Sequence, residues 1–293
     1  MLALKAVFFE IFPFFPTLDC FVRFFDSIVM ANQHVFRYAI TKTETNHRNQ
    51  GETMETLYDP DRKANFKELF ASPGALYRDT PFWSWNSELD GEELKRQIHI
   101  FKEMGMGGFH MHARTGLGTP YLSPEFMDRV KECVSTAKEL DMLAWLYDED
   151  RWPSGAAGGI VTKDKKLRAR HLLFTPNKRT EAPDAANDNS GRFLAAYSVK
   201  LDAAGALESY RRIGENDLSE AGADKFYAYL VVASPDPWFN DQTYVDTLNP
   251  KAIEKFVEVT YDAYFKAVGA EFDKTVPAIF TDEPNFGCVN APQ

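Results

Sequence analysis

Pro277-Ala-Ile-Phe-Thr-Asp-Glu-Pro284 is the stretch on which the fold reading turns. Ala278–Phe280 is short and apolar, bounded by Pro277 and by polar residues, the pattern of a buried strand. Such a strand delivers Asp282 and Glu283 to its C-terminal end. Catalytic groups of (β/α)8 barrels sit at the C-terminal ends of the parallel strands. The acidic pair before Pro284 is therefore a candidate for acid/base chemistry, with Glu283 in the catalytic role and Asp282, pointing the other way, a structural or substrate contact. Only residues 285–293 follow, so the chain reads as the front half of a barrel whose later strands lie elsewhere.

Working backward, the same strand-and-helix rhythm recurs. Residues 80–86, Thr-Pro-Phe-Trp-Ser-Trp-Asn, read as a first strand. Asp90 caps the following helix with Glu93 three positions on, and Gly105 ends it. Residues 107–113 read as strand two, with Phe109, Met111 and Ala113 on one face and His110 and His112 on the other. Ser123 and Pro124 open the next helix, and residues 142–147 form strand three, ending in Asp148, Glu149 and Asp150. Residues 165–240 alternate like β structure and read as a small antiparallel insertion. Asn249 and Pro250 start a helix whose stripe includes Phe256, Tyr261 and Tyr264, and residues 277–280 form strand four. Alternation of strand and helix predicts a parallel sheet and an α/β fold of the (β/α)8 TIM type, with about four βα units present. Four barrel strands leave two edges unpaired, and a complete open four-stranded sheet is the structural alternative.

Composition narrows the function classes. The chain has 293 residues, 44% hydrophobic and 26% charged, an ordinary globular balance. A net charge of −10 without a basic run argues against nucleic acid and against anionic membrane surfaces. Cys20, Cys133 and Cys288 are far apart and make neither a disulfide framework nor a metal pattern. Residues 1–53 differ from the rest. They are Phe-rich up to Met30 and interrupted by Glu10, Pro13 and Pro16, so they form no convincing signal peptide and no spanning helix. They read as an extension or a mis-called start, with the partial barrel occupying 54–293.

The residues able to do chemistry cluster at strand ends. Trp83 and Trp85 share one face of strand one with Asn86 beside them, which suits either core packing or the apolar faces of sugar rings. His110, His112 and Arg114 fall in one phase. They form a polar floor under a ligand, a pair of satisfied core histidines, or the start of a metal site that needs more ligands. Asp148, Glu149 and Asp150 repel one another unless hydroxyls or a cation such as Ca²⁺ organise them. Arg151 and Trp152 follow at once. The glycine-rich run 154–159 lacks the Lys-Ser/Thr ending of a phosphate loop.

Taken together, Pro-Phe-Trp-Ser-Trp-Asn-Ser-Glu-Leu (81–89), Gly-Gly-Phe-His-Met-His-Ala-Arg (107–114), Thr-Pro-Tyr-Leu-Ser (119–123), Trp-Leu-Tyr-Asp-Glu-Asp-Arg-Trp-Pro-Ser-Gly (145–155) and Phe-Thr-Asp-Glu-Pro (280–284) resemble the catalytic barrel of glycoside hydrolase family 106, the α-L-rhamnosidase-like enzymes. The resemblance covers roughly residues 57–288. It implies hydrolysis of glycosidic bonds in oligo- or polysaccharides with inversion, a bound Ca²⁺ and a periplasmic or secreted setting. It also implies a longer multidomain chain that carries a second catalytic carboxylate absent here. On it, Glu283 matches a catalytic glutamate, and His110, His112, Arg114, Asp148, Glu149 and Trp152 match pocket positions. Two other readings of the residues stand beside it: a metal-dependent hydrolase built on His110 and His112, and a non-catalytic carbohydrate-binding remnant.

Overall fold

The structure is a computed structural model that describes residues 70–180 and 191–284. The sequence readings for 1–53, for 54–69, for part of the loop at 177–191 and for Cys288 lie outside the described residues.

Four parallel strands form the first sheet, in the order β1-β2-β3-β8: β1 Phe82–Trp85, β2 Gly108–Ala113, β3 Leu143–Tyr147 and β8 Ile279–Phe280. Helices α1 (Gly91–Glu103) and α2 (Pro124–Glu139) connect the first three strands, and α3 (Pro250–Val268) precedes the fourth. The predicted caps form. Asp90 accepts from the Glu93 amide, Ser123 from that of Phe126 and Asn249 from that of Lys251. Each satisfies one backbone N–H that a helix start leaves without a partner. The capping box at Asp90 is only half made, because the Glu93 carboxylate bonds Arg96 and Gln97 instead of reaching back. Gly105 turns out of α1 at φ 84, as the sequence predicts, whereas Gly269 closes α3 in the right-handed region.

Strand phase decides what each side of this sheet holds. Trp83 pairs in register with Met111, and Trp85 with Ala113. These residues, with Phe109, Ala144 and Leu146, pack against Ile98, Phe126, Val130 and Tyr264 of the helices in one apolar core. The other face carries Phe82 opposite His110 and Ser84 opposite His112, with Trp145 and Tyr147 on β3 and Phe280 on β8. The sheet is not closed into a barrel among the described residues. What stands is a mixed α/β fold with a parallel sheet and a separate antiparallel one.

The antiparallel sheet occupies the predicted insertion. Its strands are β4 (Arg170–Thr175), β5 (Arg192–Leu201), β6 (Leu207–Ile213) and β7 (Asp224–Val232), in the order β4-β7-β5-β6. Ala196, Tyr227, Tyr229 and Val231 form its own small core. An exposed ion pair joins Lys200 of β5 to Glu208 of β6. A further core of Ala156, Val161, Leu167, Phe239, Tyr244, Val245 and Phe256 holds the segment after β3 against α3. Among the described residues no helix is long and apolar enough to cross a membrane.

Candidate active site

Period-two alternation continues past the end of β3 and sends its three carboxylates to different surroundings. Asp148 points toward α3 and is fully buried. Its Oδ1 accepts from Ser154 at 2.5 Å, and its Oδ2 accepts from Tyr261 at 2.8 Å and Thr281 at 2.6 Å. Burial pushes its carboxyl up to about 6, although the three hydroxyls that favour the anion pull the other way. Asp148 thus ties together the ends of β3 and β8, the loop that follows β3, and α3. Its backbone N–H adds a bond to the Phe280 carbonyl at 3.2 Å.

Asp150 holds the next loop. It pairs with Arg151 at 2.8 Å and accepts from Asn240 at 2.9 Å. Gly158, at φ 63, passes so close that a Cβ there would stand 2.9 Å from the Asp150 carboxylate. Only glycine combines that conformation with that approach. Gly155 is similarly placed, with φ 138 and Val245 Cγ1 2.6 Å from a built Cβ.

Glu149 lies between them in sequence and on the other side of the sheet. It is 1% exposed, and its Oε1 sits 3.1 Å from His112 Nε2. Burial first, and then the nearby Asp282 charge, raise its carboxyl to about 8, against the opposing pull of Arg114. His112 is also buried, and burial, then Arg114, lower its imidazole to about 4. Burial thus favours the uncharged form of each group, a carboxyl and an imidazole within hydrogen-bonding distance. His112 stacks on Tyr147 with centroids 3.6 Å apart and planes 9° from parallel, which fixes the ring that faces Glu149.

The end of β8 supplies the remaining wall. Tyr147 donates to Asp282 Oδ2 at 2.6 Å, and the phenol is held well above its usual range by burial and then by that bond. The Asp282 amide donates to Ser154 Oγ at 2.8 Å, and the Ser154 amide donates to the Asp282 carbonyl at 2.9 Å. One serine thus locks Asp148 and Asp282 in place. Glu283, the next residue, is exposed and sits at φ 42, a conformation that side-chain-bearing residues seldom adopt.

The structure therefore brings His112, Glu149 and Asp282 together, with Arg114 exposed nearby and acting on both His112 and Glu149. His110 is on the same face, stacked on Trp145 at 5.0 Å, and its Nδ1 has no hydrogen-bond partner. Asn86 is exposed just past β1, and Trp152 is exposed beyond the acidic run. Trp83 and Trp85 are corrected. They face the helices at 7% and 2% exposure, edge-to-face with each other, and Trp83 Nε1 bonds Gln97 at 2.7 Å. They are packing residues on the wrong side of the sheet to meet a ligand beside His112. Their parallel register with Met111 and Ala113 leaves them no other face.

The carboxylates at the end of β3 do not converge on a cation. Asp148 is filled by three hydroxyls, Asp150 by Arg151 and Asn240, and Glu149 by His112. Among the described residues no three His, Cys, Asp or Glu side chains are grouped to hold a metal ion. Each of these carboxylates is thus already engaged by protein groups, and among the described residues His110 and His112 gather no further metal ligands.

Several participants were not singled out by sequence. Ser154 lay hidden in a glycine-rich run. Tyr261 and Tyr264 counted toward the apolar stripe of α3, yet their hydroxyls reach Asp148 Oδ2 and the Tyr147 carbonyl. A tyrosine in an apolar stripe is itself a signal, since a buried phenol needs a polar partner.

No protein-family profile matches the chain, and no curated protein matches it. Among solved structures, the rhamnosidase from Novosphingobium sp. PP1Y is similar at 12% identity with a TM-score of 0.48, over 78% of this chain. The chain spans 40% of that structure's length.

Proposed function

We propose that this chain carries the acid side of a glycoside-hydrolase site in four units of a (β/α)8-type barrel, acting on α-L-rhamnoside-like linkages. The observation that carries the reading is Glu149: a buried carboxyl 3.1 Å from His112 and near Asp282, whose burial favours its protonated form. Glycoside hydrolysis needs a carboxylic acid that is still protonated at working pH to donate to the leaving oxygen. Glu149 has that character by burial, the same cause that raises the acid of other glycosidases. His112, pinned on Tyr147, orients the carboxyl without competing as a cation.

Glu283 takes the second carboxylate role, so that both carboxyl groups of this reading lie in the chain and not, as the resemblance implies, one of them beyond it. It stands one residue beyond Asp282, open to solvent, where it can act on water. Its left-handed backbone supports the assignment, since strain of this kind gathers at functional positions. Asp282, Arg114, His110, Asn86 and Trp152 are the substrate contacts of this reading. The non-catalytic carbohydrate-binding reading shares the same contacts and differs only in turnover.

Leaving-group dependence tests the assignment. Glu149→Gln should lower kcat on methyl α-L-rhamnoside by about 10²–10⁴-fold. It should cost far less on p-nitrophenyl α-L-rhamnoside, whose leaving group needs no proton. Glu283→Gln should impair both substrates alike. Equal losses on both substrates in Glu149→Gln would remove Glu149 from the acid role. Saccharide binding with no turnover by the unmutated protein would favour the binding reading.

A further inference from the structure

We propose that Trp238 is a sugar-stacking residue of an outer subsite, taking the second or third ring of an oligosaccharide whose terminal ring lies at Glu149. The inference rests on the glycoside reading above and goes beyond it by naming a residue and the part of the substrate it holds.

Trp238 is 46% exposed, and Trp152, three residues after Glu149, is 38% exposed. Trp83 and Trp85 are buried in the core, whereas Trp152 and Trp238 stand together at the surface. An exposed indole forgoes a large burial term, and this one stands beside Trp152 on a turn tied to the loop that follows Glu149. Trp238 is also held still. Its indole N–H donates to the Trp152 carbonyl at 2.7 Å, and its amide donates to Asp236 at 2.8 Å. Phe239, next in the turn, is buried in the core beneath. Asn240, at φ 55, closes the turn and bonds Asp150, the Gly158 carbonyl and Arg151.

These bonds couple the turn to the loop that follows Glu149. With its N–H already used, the indole has no polar group left for a ligand, and what remains is a flat apolar face. That face matches the C–H face of a pyranose, while hydroxyls at the ring edge are left to polar neighbours. Pre-ordering of this kind lowers the entropy lost on binding.

The test uses the full chain carrying Glu149→Gln to block turnover, labelled with 5-fluorotryptophan. Methyl α-L-rhamnoside is compared with a tetrasaccharide that ends in L-rhamnose. The ¹⁹F resonance of Trp238, assigned through Trp238→Phe, should shift with the tetrasaccharide and stay in place with the monosaccharide. Trp238→Ala should weaken tetrasaccharide binding by about tenfold and leave the monosaccharide unchanged. An unshifted Trp238 resonance at tetrasaccharide saturation overturns the subsite and leaves the glycosidase reading standing. Equal weakening of both ligands by Trp238→Ala also overturns it, since the residue would then act by holding the loop. If neither saccharide binds, the glycosidase reading falls and the subsite falls with it. The fluorine shift needs no destabilising substitution, so it decides the matter even if Trp238→Ala unfolds.

Discussion

The two faces of the parallel sheet are built from the same strands and do opposite work. The helix face holds Trp83, Trp85, Phe109, Met111 and Leu146, all buried, in one apolar core. The other face alternates with it residue for residue and holds His110, His112, Trp145 and Tyr147, leading up to Glu149. Stability on the first face comes from area removed from water and tight packing. On the second face the same burial acts on ionisable groups and changes which protonation state they hold. Burial packs the rings of Trp85, though its indole N–H is left without a partner, and it shifts the Glu149 carboxyl toward its protonated form.

The largest effect is expected on the helix face. Trp85→Ala should destabilise the fold by about 3–5 kcal/mol, because it empties a fully buried ring site. Chemical denaturation would show this as a lower midpoint at unchanged slope. A cost below about 1 kcal/mol would mean that this face is not the main core.

Next in size is the pH effect of Glu149. Its folded value is raised to about 8 from 4.5, so its contribution to stability is complete below pH 4.5 and is lost as pH rises through about 8. Glu149→Gln should remove that decline. The variant should gain on the unmutated protein between pH 5 and pH 9 by a few kcal/mol, about 5 at most. His112 runs the other way. Its folded value is lowered from 6.5 to about 4, so stability is lost as pH falls between those values, and His112→Gln should flatten that limb. Parallel melting curves for the mutants and the unmutated protein across pH 4–9 would refute both signs at once.

Ser154→Ala should cost about 1–3 kcal/mol, since it leaves buried Asp148 and the Asp282 amide each short of a partner. It should also loosen the site, so KM or kcat should move with stability. Smallest of all, Ser123→Ala at the start of α2, on the helix side, should cost about 1 kcal/mol through the lost cap and leave any activity unchanged. If Ser154→Ala behaved like Ser123→Ala, the loop lock would be merely another cap.

The order of elements was legible because each signal is local. Asp90, Ser123 and Asn249 cap helices through bonds to amides two or three residues away, and period-two alternation in 108–113 separates the histidines from Phe109 and Met111. The antiparallel insertion was legible for the same reason. The strands observed at β1 and β8 start two residues later than the sequence suggests, and β1 also ends one earlier, because pairing partners and not propensity end a strand. Trp83 and Trp85 could not be assigned to a side from sequence, since their side depends on register with β2. The sequence puts Glu283 in the catalytic role and Glu149 among the pocket contacts, yet both are glutamates at strand ends, and only their surroundings tell them apart.

By itself, then, the sequence determined the strand–helix alternation, the caps, the inserted β region and the gathering of polar groups at strand ends. Each of these follows from the spacing of residues along a few turns or a single strand. Tertiary structure alone decided which carboxyl is buried against His112. That choice needs Tyr261 and Thr281, 113 and 133 residues from Asp148, to satisfy one carboxylate so that its neighbour can face His112. Desolvation and the charges around a site belong to the folded molecule, and no local pattern of residues carries them.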